Sequence, residues 1–218
     1  MLFRSGFRRV VVRDAATLEV RRELTTGLAG RVTAVRFSPD SARLAVADGV
    51  PGRSGVVRIV DLSGDGPPTA WPAHDDTVFA LDFTRDGARL ATAGGDRLVK
   101  IWDAATHAEV ARLEAHATQV LAVAFNADGT RLASGGADRE LNIWDTGTRE
   151  KIISLGASTT AVNALSWPGD GTTLLAASAT GGVFAYTNLK AHAGGERSQG
   201  GRSEEHTSEL QSRLHLVC

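Results

Sequence analysis

Apolar residues in this chain fall in short runs separated by glycine-rich polar punctuation. Val78-Phe-Ala-Leu-Asp-Phe83 is one run, and Thr84-Arg-Asp-Gly87 closes it. Arg89-Leu-Ala-Thr92, the turn Gly94-Gly-Asp96, Leu98-Val-Lys-Ile-Trp102 and Glu109-Val-Ala-Arg-Leu113 follow. Runs this short predict strands, and Asp-Gly between apolar runs predicts a hairpin, because glycine accepts positive φ without steric cost. Helical periodicity is absent here, so the pattern predicts an all-β architecture.

The whole set recurs. Val60, Trp102, Trp144 and Tyr186 are each 42 residues apart, as are Phe83, Phe125 and Trp167, and Leu90, Leu132 and Leu174. His74 and His116 keep the same step. A period in the range of about 40–45 residues is that of a four-stranded propeller blade. Three full blades are expected. A partial one precedes them, with Val10–Asp14 and Glu19–Leu24 as its third and fourth strands, and a last one stops after its third strand near Tyr186. About four and a half blades make an open arc with exposed edge strands at both ends, since closed propellers have about 4–8.

Ile101-Trp102-Asp103 and Ile143-Trp144-Asp145 resemble the Trp-Asp signature of the WD40 repeat family. His74 and His116 stand where that family places the His of its Gly-His motif, although Ala73 and Ala115 replace the glycine. The resemblance covers roughly residues 9–186. It implies a hydrogen-bonded tetrad in each of two blades: His74, Thr92, Asp96 and Trp102, then His116, Ser134, Asp138 and Trp144. A buried indole N–H and hydroxyl need partners, and an Asp can orient a His as acceptor. His, Ser and Asp together also compose a hydrolase triad, but a set that recurs blade after blade with a Trp attached reads as structure. The two histidines belong to different blades and make a poor metal site. Neither catalytic residues nor a metal or cofactor is expected. The last blade has Ser158, Ala176, Thr180 and Tyr186 at the tetrad positions, and the earlier blade has Leu28, Val46, Ser54 and Val60 near them. Those two blades are expected to rely on apolar packing alone.

Leu44 and Val60 are 16 residues apart where Leu90 and Trp102 are 12 apart, so the earlier blade carries four extra residues in Asp48–Gly55, between its second and third strands. The resemblance implies that this loop lies on the face where partners commonly bind, against the plainer reading of a tolerated surface insertion. Arg53 of that loop, with Asp75, Asp76, Arg97, Thr118, Gln119 and Arg139, are the partner-binding candidates; solvated loop charge is the alternative. Val32, Val78, Val120 and Val162 start the blades, where a central active site would want convergent His, Asp or Glu.

Composition narrows the function classes. The net charge of −1 gives no electrostatic footprint for nucleic acid or an anionic membrane. No apolar run approaches the ~20 residues that span a bilayer. Cys218 is the single cysteine, and no Walker loop, HExxH or CxxC is present.

Both ends look foreign. Arg202-Ser-Glu-Glu begins a segment, running to Ser212, that resembles a translated sequencing adapter: AGATCGGAAGAG encodes Arg-Ser-Glu-Glu. Its reverse complement encodes Leu-Phe-Arg-Ser, the residues Leu2–Ser5. The expected organisation is therefore 1–5 non-native, 6–187 propeller, 188–201 linker or irregular strand, and 202–218 non-native. The chain is expected to be a non-catalytic scaffold for protein–protein interaction, completed by the remaining blades of its parent chain, with no nucleic acid or membrane as partner. The alternative is the propeller region of a larger bacterial multi-domain enzyme or c-type cytochrome protein whose chemistry lies elsewhere. The Ala- and Arg-rich style looks bacterial. A cytoplasmic or periplasmic setting is compatible with both.

Overall fold

A computed structural model describes residues 2–6, 8–25, 27–114, 116–156, 160–168 and 171–187. The expected linker 188–201, the adapter-like tail 202–218 and Ser158 lie outside the described residues. The described residues form 18 strands in five antiparallel sheets, with no helix among them. The first sheet is β1 (Leu2–Gly6), β2 (Arg9–Arg13) and β3 (Val20–Leu24). The second is β4 (Arg31–Phe37), β5 (Arg43–Val50), β6 (Ser54–Asp61) and β7 (Thr69–His74). The third is β8 (Val78–Phe83), β9 (Arg89–Gly94), β10 (Leu98–Asp103) and β11 (Glu109–Glu114). The fourth is β12 (Val120–Phe125), β13 (Arg131–Gly136), β14 (Glu140–Asp145) and β15 (Lys151–Gly156). The fifth is β16 (Val162–Ser166), β17 (Leu174–Ser178) and β18 (Val183–Tyr186). Leu2–Ser5, expected to be foreign to the blade, pairs with β2 together with Gly6.

Each sheet is a meander whose register repeats. Val32 faces Asp48, Val78 faces Gly94, Val120 faces Gly136 and Val162 faces Ser178. Turn chemistry sets that register. Gly87, Gly129 and Gly171 take φ of 69°, 71° and 63° in the first turn of three blades, and Asp86 and Asp128 accept from the backbone N–H two residues on.

The cores lie between blades. One cluster joins Ala91, Ala93, Val99 and Ile101 of the third sheet to Val120, Val123, Phe125 and Trp144 of the fourth. Equivalent clusters join the first to the second, the second to the third and the fourth to the fifth. Small residues on the second strand let the next inner strand approach: Ala45, Ala47, Ala91, Ala93 and Ala133 are wholly buried, and a Cβ on Gly135 would meet Val162 Cγ1 at 2.5 Å. The inner strands β4, β8, β12 and β16 stand side by side in that order. With antiparallel alternation, every turn between second and third strands lies at the same end as every connection from one blade to the next.

The insertion in the second sheet is not an open loop. Strands β5 and β6 each run on, pairing out to Val50 and Ser54, and Pro51–Arg53 alone turn the corner. Asp48, counted above as the loop's first residue, lies within β5 and is wholly buried.

Candidate functional site

The structure brings each expected tetrad together. In the third sheet, Trp102 Nε1 donates to Thr92 Oγ1 at 3.0 Å, and Thr92 Oγ1 lies 2.6 Å from His74 Nε2. His74 Nδ1 lies 2.8 and 3.0 Å from the two oxygens of Asp96. An indole nitrogen only donates, so the chain of donation runs from Trp102 through the Thr92 hydroxyl and His74 to Asp96. The Asp96 carboxylate then closes the turn by accepting from Asp75 N and Leu98 N, both at 3.2 Å. The fourth sheet repeats this with Trp144, Ser134, His116 and Asp138 at 3.0, 2.9 and 2.9 Å, and Asp138 accepts from Ala117 N and Glu140 N. Burial raises the Asp96 and Asp138 carboxyls, but the His partner and the backbone N–H groups outweigh it, and both sit below the usual carboxylate range.

Sheet register makes room for the imidazoles. A Cβ on Gly136 would meet His116 Nδ1 at 2.6 Å, and one on Gly94 would run into His74 Nδ1. Only glycine fits beneath the ring.

These contacts limit the chemistry. Carboxylate, imidazole and hydroxyl stand in the order of a nucleophilic triad. Yet Thr92 and Ser134 are 0% exposed, and each hydroxyl also holds an indole N–H. No substrate reaches them without unfolding the blade. His116, Asp138 and Glu140 bring ligand atoms within 4.8 Å of one another, but both His116 nitrogens are engaged inside the tetrad.

The blades without a tetrad correct the expectation that they rely on apolar packing alone. In the second sheet Leu28 takes the His position, and the register position of Gly94 and Gly136 is Asp48. The space that a ring fills elsewhere holds the Asp48 carboxylate, which pairs with the Arg58 guanidinium. Asp48 accepts from Ala29 N and Gly30 N, where Asp96 accepts from Asp75 N. Arg58 also donates to Gly27 O, as Lys100 donates to Ala73 O. A buried ion pair thus performs the loop-closing work of the tetrad. In the fifth sheet Ser178 occupies the glycine position and accepts from Gly182 N, with Thr180 Oγ1 at 3.3 Å. Tyr186 replaces the Trp and is buried.

A second missed group faces the cavity of about 690 Å³ between the inner strands, lined in part by Thr33, Phe79, Leu121, Asn163 and Trp167. There Asp82 of β8 pairs with Arg36 of β4 at 2.8 Å and accepts from Phe125 N of β12 at 2.8 Å, tying three blades together. Burial pushes the Asp82 carboxyl up, opposed by Arg36 and that N–H. Both residues occupy the same inner-strand position in adjacent blades, beside Phe37 and Phe83, so opposite charge at matched positions was the available signal. Val32, Val78, Val120 and Val162 are buried at the blade starts.

The partner-binding candidates share the end of the blades described above. Arg53, Asp75, Arg97, Thr118, Gln119 and Arg139 are exposed. Asp76 is half-buried and already engaged, accepting from Gly52 N at 2.7 Å and Thr77 N at 2.6 Å.

Comparison with known proteins follows this geometry. The model of the WD domain, G-beta repeat, matches residues 21–61, 66–103, 108–145 and 149–186. Each matched repeat begins in or just before the outermost strand of one sheet and ends in the third strand of the next, so neighbouring blades share every repeat. WD repeat-containing protein 1 of Xenopus tropicalis is 38% identical over 82 residues, 36% of this chain and 13% of that protein. U3 small nucleolar RNA-associated protein 12 of Saccharomyces cerevisiae is 40% identical over 52 residues, 23% of this chain and 6% of its own length. Among solved structures, a chain of the structure titled "Crystal Structure of Mitotic Checkpoint Complex" superposes with a TM-score of 0.75 at 23% identity, over 85% of this chain and 58% of that one. The chain therefore spans a small part of these curated relatives. Its four matched repeats, covering more than half of the chain, place it in the WD40 repeat family.

Proposed function

We propose that this chain is a non-catalytic scaffold that binds protein partners at the end of the blades carrying Arg53, Asp75, Asp76, Arg97, Thr118, Gln119 and Arg139. The observation that carries the reading is the division of polar groups. The buried His, hydroxyl, Asp and Trp groups satisfy one another inside the blades, while the loops at one end present exposed polar side chains on a rigid β framework. Fold alone does not name a partner.

The test is affinity capture followed by quantitative mass spectrometry, with the chain and two double variants as bait. Asp75→Arg with Gln119→Arg alters the proposed face; Ala105→Arg with Glu150→Arg alters the opposite end. The expected result is a set of captured proteins lost with the first variant and kept with the second. Equal capture by all three baits contradicts the reading.

A second reading places the same scaffold inside a larger, bacterial multi-domain protein whose chemistry belongs to another domain. Coverage of only 13% of a curated relative supports the larger size, and the Ala- and Arg-rich blades support the bacterial origin.

A further inference from the structure

We propose that the partner docks through an acidic peptide segment held by Arg53, Arg97 and Arg139. The inference rests on the scaffold reading above and names the chemistry of what the scaffold binds. The three arginines stand in the turns between second and third strands of three consecutive blades, at one end of the fold. All are exposed, and among the described residues none of their guanidinium groups makes a hydrogen bond or ion pair. Arg31, at the start of β4 on the same end, is likewise exposed and unpaired.

Most of the carboxylates at this end are engaged. Asp48 is paired with Arg58, Asp96 and Asp138 hold the tetrad histidines, and Asp76 holds Gly52 N and Thr77 N. Glu140 takes the Ser154 hydroxyl at 3.4 Å. Among the described residues, Asp75 and Glu114 at this end leave their carboxylates without a hydrogen bond, against the four guanidinium groups of Arg31, Arg53, Arg97 and Arg139. The unspent hydrogen-bonding capacity of the rim is therefore mostly guanidinium donors, which complement carboxylates.

Backbone conformation presents these side chains outward. Arg97 and Arg139 sit at φ of 73° and 72°, a region costly for a residue with a Cβ. The matched position of the next blade is Gly181, at φ of 89°. The next blade uses glycine at this position and these two carry arginine; Ser41, His107 and Arg149 take positive φ at other turns as well. Arg53 is held differently, in a turn pinned to the next blade by Gly52 N on Asp76 and closed by Arg53 N on Val50 O at 3.0 Å.

A phage library of random 12-residue peptides, panned on the 218-residue chain, tests this. The expected outcome is enrichment of Asp- and Glu-rich sequences. The best of them, made synthetically, binds the chain more weakly as salt rises. It also binds about tenfold more weakly to the variant Arg53→Gln, Arg97→Gly, Arg139→Gly, the scale of three exposed charge pairs. That variant is expected to melt no lower than the parent, because glycine accepts the positive φ. A variant with glutamine at all three positions must lose the same binding. Enriched peptides that are neutral or basic, but lost on Thr118→Lys, overturn the inference and leave the scaffold reading standing. A short DNA duplex binding as tightly, with the same arginine dependence, overturns the acidic-peptide assignment. If no peptide is enriched, the acidic-peptide inference falls, and the capture experiment above decides the scaffold reading.

Discussion

At the scale of the residue, one position decides how a blade closes its loop. Where β9 and β13 carry Gly94 and Gly136, an imidazole lies across the glycine and delivers a proton donor to Asp96 or Asp138. Where β5 carries Asp48, the carboxylate fills that space and meets Arg58. The tetrad was legible because four residue types repeat at a 42-residue step. The Asp48–Arg58 pair was not, because it occurs once and its partners come from strand register. Removing one partner of a buried pair leaves an uncompensated charge, whereas removing both does not. Asp48→Ala should therefore cost about 3–5 kcal/mol in urea unfolding. Asp48→Ala combined with Arg58→Met should cost less than Asp48→Ala alone. A double variant at least as unstable as the single would show that the two groups do not act as a pair.

At the scale of the element, strand runs, turn glycines and blade period were all readable from alternation and spacing. The insertion was misread because spacing counts extra residues without saying where they go. Val50 and Ser54 extend the ladder, so two added residues on each strand lengthen a hairpin. Blades whose loops are tied by buried networks should open last. Hydrogen exchange is expected to protect β8–β15 longest and to release β16–β18 first, since the fifth sheet has no buried His–Asp pair among the described residues and ties its turn through the hydroxyls of Ser178, Thr180 and Thr160. Earlier exchange in β8–β15 would contradict the stabilising role given to the tetrads.

At the scale of the whole molecule, blades cohere through apolar interfaces and a few long polar ties. Asp82 joins β4, β8 and β12, Arg43 donates to Ala104 O at 3.0 Å in the next blade, and Arg22 donates to Gly64 O and Asp65 across the first two sheets. Family and architecture were legible in the Trp-Asp and His spacing, while these ties were not, because each joins positions that only the packed arc brings together. The proposed function rests on the same division: the interior is consumed by its own hydrogen bonds, and the end of the blades carrying Arg53, Arg97 and Arg139 is the proposed binding face. A photo-crosslinking residue placed at Thr118, and in a separate protein at Thr148 on the opposite end of the same sheet, tests that claim most directly. Crosslinks from Thr118 to captured proteins, with none from Thr148, are the predicted result. Crosslinks confined to Thr148, or none from either position, would contradict it.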